Sequence, residues 1–155
     1  MANTQAVCSS FKTELLNGYH AFGASSSIAR TASAVDVFKG ALYLSSATMN
    51  ATTTAYTTTS EASLTANNYT AGGVTITNAT APVISGTTAC WTPSASLVWT
   101  TVTLPTAFNT LLLYNSTQSN RAVAVFTFGD QIVTAGNFTL TMPANVAGTA
   151  LLQLA

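Results

Sequence analysis

The chain has 155 residues, of which 48% are hydrophobic and only 5% are Asp, Glu, Lys or Arg, with a formal net charge of zero. An ordinary soluble domain carries about 25% charged residues. Four cations scattered as Lys12, Arg30, Lys39 and Arg121 cannot neutralise a row of phosphates, which excludes direct nucleic-acid binding, and no run of about 18 apolar residues exists to span a membrane.

A chain of this length fits a single domain over 1–155, which hides roughly 70% of its unfolded surface without help from a metal or a disulfide. Its neutral surface of Thr, Ser, Asn and Gly lacks the like-charge repulsion that keeps monomers apart, so contact with other protein is its expected fate. The start, Met1 to Cys8, has neither a basic nor a strongly apolar region, so it does not read as a signal peptide and synthesis is expected in the cytoplasm. Cys8 and Cys90 are then expected as buried thiols. The Asn-x-Ser/Thr triplets at Asn50, Asn68, Asn78, Asn115 and Asn137 are expected to carry no glycan.

In chain order, Ser9 or Ser10 caps a short helix carrying Phe11, Leu15 and Tyr19 at i, i+4 and i+8, with Gly18 near its stop. Residues 1–34 thus form an arm, a short helix and a Ser/Ala-rich connection, and 35–155 the β core. Val35 to Leu44 reads as the first core strand, with Phe38, Leu42 and Leu44 on one face and Lys39, Ala41 and Tyr43 on the other. Ser45 to Thr59 is a Thr-rich stretch expected as a long surface loop. Gly72-Gly73 makes a turn feeding a strand with Val74 and Ile76.

Further strands are predicted at Pro82 to Ile84, Thr87 to Trp91 and Ser96 to Leu104, the last ended by Pro105, which offers no N–H to a ladder. Leu111 to Tyr114 is apolar on both faces and belongs in the middle of a sheet. A turn over Asn115 to Asn120 leads to Ala122 to Phe128, ended by Gly129-Asp130, then Asn137 to Met142 closed by Pro143, and Thr149 to Leu154. Roughly eight short strands without helical periods between them predict an all-β fold, an antiparallel β-sandwich or jelly roll with a short N-terminal helix and arm.

Catalytic chemistry finds little to work with. Two Asp, two Glu and one His are the whole acid–base inventory. A Ser-His-Asp triad would need His20 with Asp36 or Asp130, and no Gly-x-Ser-x-Gly elbow presents a nucleophile. A carboxylate pair would be drawn from Glu14, Asp36, Glu61 and Asp130, which lie in four separate segments. Cys8, His20 and Cys90 have no short metal-ligand spacing, and a lone His at a helix end is expected to bond a backbone carbonyl. Gly72-Gly73 lacks the Lys-Ser/Thr of a phosphate loop. Trp91, Trp99, Tyr114, Phe126 and Phe128 are expected to fill the core rather than a sugar groove. Glu61, and Asp36 with Lys39, are expected to cap turns, to form interface pairs, or to sit in solvent. The chain is therefore read as no enzyme, with no catalytic, cofactor-binding or metal residues and no cofactor.

Phe11-Lys-x-Glu-Leu-Leu-x-Gly, Asp36-x-Phe-Lys-x-Ala-Leu-Tyr, Thr-x-x-Tyr56 with Glu61, Tyr69-Thr-Ala-Gly-Gly-Val-Thr, Leu113-Tyr-Asn and Phe128-Gly-Asp follow one another along nearly the whole chain. In that order they resemble a family of small virion proteins of tailed bacteriophages. The chain departs from that pattern after Glu61, where Ala-Ser-Leu-Thr-Ala-Asn-Asn replaces a shorter turn containing Gly. The resemblance implies a particle component, a capsid decoration or cement protein that bridges major capsid subunits, or else a tail, neck or fibre part. A homo-oligomer located in the virion is expected, and the segment Ala2 to Ser10 is a candidate for adding a strand to a neighbour's sheet.

Overall fold

The computed structural model describes residues 3–16, 18–22, 36–64, 66–77 and 81–155. In chain order its elements are β1 (Ala6–Val7), α1 (Ser9–Leu16), β2 (Phe38–Leu44), β3 (Val74–Thr75), β4 (Val83–Ser85), β5 (Thr88–Trp91), β6 (Leu97–Asn115), β7 (Arg121–Leu140) and β8 (Leu152–Leu154). One sheet has the order β1-β7-β6-β2-β3 and the other β4-β5-β8. Every pairing is antiparallel. The fold is thus all-β and sandwich-like, with a single short α-helix among the described residues.

The frame is one hairpin whose arms, β6 and β7, run 19 and 20 residues. Two expected strand ends are corrected here. Pro105 does not stop β6; it lies exposed in a stretch where four steps of β6, Leu104 to Phe108, span two of β7, Val133 to Gln131. A missing N–H is harmless at such a bulge because no ladder bond is due there. Gly129-Asp130 does not stop β7 either, since Thr127 to Gln131 spans only Thr110 to Phe108 and forms the opposite bulge. The two bulges cancel, so Leu111↔Phe126 keeps the register of Leu97↔Leu140, and the inward parity set at one end is restored at the other.

Near its turn the hairpin is buried on both faces. Leu111 to Leu113 are at most 2% exposed, and Ala122 to Val125 at most 1%; α1 packs on β7, while β2 and β1 pair along the hairpin's two edges. The central placement expected for Leu111 to Tyr114 is found. Strand β2 is buried on both faces too, Tyr43 and Ala41 as deeply as Phe38 and Leu42. Gly73, at φ +69, closes β3 onto β2: a Cβ there would stand 1.9 Å from the Gly40 carbonyl oxygen. Only glycine meets both the left-handed backbone and the approach.

The Thr-rich stretch 45–59 is irregular, as expected, yet stitched down. Met49 and Ala51 carbonyls accept the N–H groups of Thr4 and Ser9, and Tyr56 N–H and Thr54 carbonyl bond Asn120 and Ala122. Helix α1 spans two turns, and Gly18, at φ +69, ends it with its N–H on the Leu15 carbonyl. The arm is not free to add to a neighbour's sheet in this structure, because β1 already pairs with β7 of its own chain, Ala6 opposite Val125 and Val7 opposite Ala124. The connection expected over 23–34 and the start of the first strand at Val35 lie outside the described residues. Phe22 stacks on Phe38 at 4.5 Å and meets Trp91 edge-on at 4.9 Å, joining the N-terminal segment, the large sheet and the small sheet in one aromatic cluster.

Candidate functional site

The carboxylates that lie apart in sequence do meet in part. Glu14, on the inward face of α1, takes Nε2–H of His20 on Oε2 at 2.9 Å and Arg121 Nη1 on Oε1 at 2.6 Å. Asp36, just before β2, accepts Ala21 N–H at 3.0 Å, Asn115 Nδ2 at 2.8 Å and Gln118 Nε2 at 3.2 Å. Asn115, at the end of β6 and wholly buried, joins the halves: its Nδ2 also reaches His20 Nδ1 at 3.1 Å, while Oδ1 takes the N–H groups of Thr117 and Gln118. With Oδ1 committed to two donors, the amide presents only hydrogens to His20. The ring therefore accepts at Nδ1 and donates at Nε2.

That arrangement corrects the expectation of a backbone carbonyl partner for His20, and it defines what the cluster can do. Both ring nitrogens are occupied, and neither partner is a hydroxyl or thiol, so His20 has no nucleophile to activate. Asp130 lies elsewhere, exposed and bonded to Asn109 at 2.9 Å. Arg121 also lies over the Tyr19 ring at 4.5 Å. The cluster is a seam of charge-assisted hydrogen bonds holding α1 and the segment after it to the hairpin turn. Asn115, Gln118 and Arg121 were not singled out from the sequence for this role; the signal available was a polar Asn directly after the apolar run Leu111 to Tyr114.

Glu61 organises a second network and is wholly buried, so the reading of a solvated charge is corrected and that of a turn cap is found. Its Oε1 accepts Gly72 N–H at 2.7 Å and Tyr69 O–H at 3.1 Å; its Oε2 accepts Tyr56 O–H at 2.8 Å and Ser63 O–H at 3.0 Å. Tyr69 oxygen in turn accepts Leu42 N–H, and Tyr114 donates to the Gly72 carbonyl. Burial first, and the Glu61 charge second, push the Tyr114 hydroxyl up to about 12 and that of Tyr69 further. Four donors replace the water a carboxylate would otherwise need, and the result fixes loops to the sheet.

An apolar surface feature lies beside the first seam. An open pocket of about 230 Å³ separates Val7, Phe11, Leu15 and Phe22 from Cys90 and Leu152 of the small sheet. Among the described residues no charged side chain lines it. Its rim carries Val7, 36% exposed, and Leu154, 51% exposed, and the edge strand β4 of the same small sheet adds Ile84 at 72%. Trp91, Trp99 and Tyr114 are buried as expected, while Phe126 and Phe128 are half-buried against the core.

Cys8 and Cys90 are both buried and unpaired, and burial with the nearby Glu14 charge pushes the Cys8 thiol up to about 11. Among the described residues no three His, Cys, Asp or Glu side chains converge as a metal site would require, and no helix is long and apolar enough to cross a membrane. No family model, curated protein or solved structure matches the chain.

Proposed function

We propose that this chain is a non-enzymatic structural component of a tailed-bacteriophage virion, a capsid decoration or cement protein that docks on major capsid subunits and stabilises the shell. The observation that carries the reading is the uncharged pocket with its exposed aliphatic rim, Val7, Leu154 and Ile84 close by, on a chain of zero formal charge. Apolar rims of this kind gain by being covered, at roughly 25 cal/mol per Å² removed from water. A cement protein works by burying complementary surface across neighbouring subunits, so that separating them also breaks its own contacts. The buried polar groups support the same reading from the other side: His20, Glu14, Asp36 and Glu61 spend their bonding capacity on neighbours in the chain.

In this reading the protein is made in the bacterial cytoplasm, joins other copies of itself on the particle, and contacts protein rather than the packaged genome. The test is to prepare particles lacking the chain and heat them with and without the purified protein. Added protein is expected to bind and raise the temperature at which the shell opens. Binding confined to tails, with no change in shell opening, would move the protein to the tail, neck or fibre role.

A further inference from the structure

We infer that His20 is a proton-operated latch: a proton taken up there frees the segment Tyr19 to Phe22 from the hairpin turn and moves the Phe22 wall of the apolar pocket. The inference rests on the geometry of the seam and stands apart from the virion reading. His20 is the one histidine in the chain, and none of its side chain is exposed. Both ring nitrogens are spent, Nε2–H on Glu14 at 2.9 Å and the Nδ1 lone pair on Asn115 Nδ2 at 3.1 Å. A proton added at Nδ1 sets one N–H against another, with no water at the ring to take it up.

Asn115 cannot turn over to accept the new hydrogen. Its Oδ1 holds the N–H groups of Thr117 and Gln118, and its Nδ2 donates to Asp36 at 2.8 Å. A reversed amide breaks these bonds and points an oxygen at a carboxylate. The ring cannot swing to Asp36 either, because Phe11 at 4.9 Å, Phe22 at 6.2 Å and Phe38 at 6.4 Å hold its plane. The charges around it nonetheless draw a proton. Glu14 on α1 and Asp36 before β2 outnumber Arg121 on β7, while Lys12 is exposed and Lys39 alternates with Phe38 onto the other face of β2. The Cys8 thiol, pushed up to about 11, keeps its proton throughout, and β5 brings the uncharged Trp91.

Charge thus invites the proton where the bonds leave it no place, so uptake and release occur together. The docked ring has no free lone pair and the released ring has one; acidification therefore favours release, and neutral pH favours docking. Two anchors depart with the ring: Ala21 N–H leaves Asp36, and Phe22 leaves its stack on Phe38 and its edge contact with Trp91. Phe22 and Trp91 both line the 230 Å³ pocket, so the latch sets the shape of that pocket.

The test is nuclear magnetic resonance on the whole chain, from about pH 8 to about pH 5, a range that brackets the ordinary imidazole value near about 6.5. The signals followed are the His20 ring, the Ala21 amide and the cross-relaxation between the Phe22 and Trp91 rings. The expected result is one shared midpoint, at which the ring gains its proton, the Ala21 amide loses its hydrogen-bonded position and the Phe22–Trp91 contact disappears. In His20→Gln, which cannot take up the proton, that contact is expected to persist across the range; should the variant not fold, the parent titration decides alone. The inference is overturned if the ring titrates while Ala21 and the Phe22–Trp91 contact stay as they were, or if the contact persists until the whole chain unfolds.

Discussion

The Glu61 carboxylate holds the backbone N–H of Gly72 at 2.7 Å, eleven residues ahead of it, with none of its own surface exposed. That bond and three hydroxyl donors tie the end of the Thr-rich stretch to the turn that feeds β3. Glu61→Ala leaves four donors unsatisfied in the interior and is expected to cost about 3 kcal/mol or more in urea unfolding. Glu61→Gln, which retains one acceptor oxygen but turns an NH₂ toward two hydroxyls, is expected to cost less, about 1–2 kcal/mol. An Ala variant within about 0.5 kcal/mol of the parent, the usual range of a surface change, would show that the network is not structural.

Gly73 makes the sharper single-atom prediction. Gly73→Ala puts a methyl 1.9 Å from the Gly40 carbonyl oxygen at a backbone φ of +69, so β3 must leave β2. The expected result is a loss of about 2–3 kcal/mol or more and faster amide exchange at Ile76, whose N–H bonds the Phe38 carbonyl in the parent. Gly86→Ala is the comparison, since nothing stands within 4 Å of its Cβ position.

The tyrosines around Glu61 make stability fall at alkaline pH. Burial, then the carboxylate's charge, raises Tyr114 to about 12 and holds Tyr69 higher still; burial and the hydrogen bond to Glu61 do the same for Tyr56. An unfolded tyrosine titrates near about 10. Below that pH both states keep their protons and the contribution is intact. Above it the unfolded chain releases protons that the fold retains, so stability drops as pH rises toward the folded values. The unfolding midpoint measured from pH 8 to 11.5 is expected to fall steeply above about pH 10, and less steeply in Glu61→Gln, which removes the charge.

Thiol chemistry reports on the seam. Cys8 is fully buried, with its thiol pushed up to about 11, so at neutral pH almost no thiolate is available to a disulfide reagent. Native protein is expected to react with one at least about 100-fold more slowly than unfolded protein, since reagents reach the thiol only through opening. Arg121→Ala, which removes the 2.6 Å contact to Glu14, is expected to speed labelling of Cys8 well before it speeds that of Cys90 in the small sheet.

Much of the fold was legible from local pattern. Along the strand read with Leu97, Trp99 and Thr101 on one face and Val98, Thr100 and Val102 on the other, Leu97 and Trp99 point inward and Val98 and Thr100 outward. The alternation breaks at Thr101, whose φ is +52, leaving Thr101 exposed and Val102 buried. The doubly apolar run Leu111 to Tyr114 lies at the centre of its sheet. Pro105 and Gly129-Asp130 misled because each is a local breaker, whereas what accommodates them is a pair of offsetting bulges on two strands, a property of pairing between distant residues. The seam was legible only as an inventory. Glu14, Asp36 and Asn115 come from a helix, a strand approach and a strand end, and no spacing along the chain brings them together. The turn cap by Glu61 was within reach, because the residue stands just before Tyr69-Thr-Ala-Gly-Gly; its complete burial was not, since that depends on hydroxyls of Tyr56, Ser63 and Tyr69 arriving from three places.

The proposal that the chain is a virion component is tested most directly by cryo-electron microscopy of intact phage particles assembled in the presence of the chain. The account predicts copies in register with the shell lattice, seated on major capsid subunits with the Val7, Ile84 and Leu154 surface covered. Density for the chain only in the tail, or particles that contain none of it, would contradict the account.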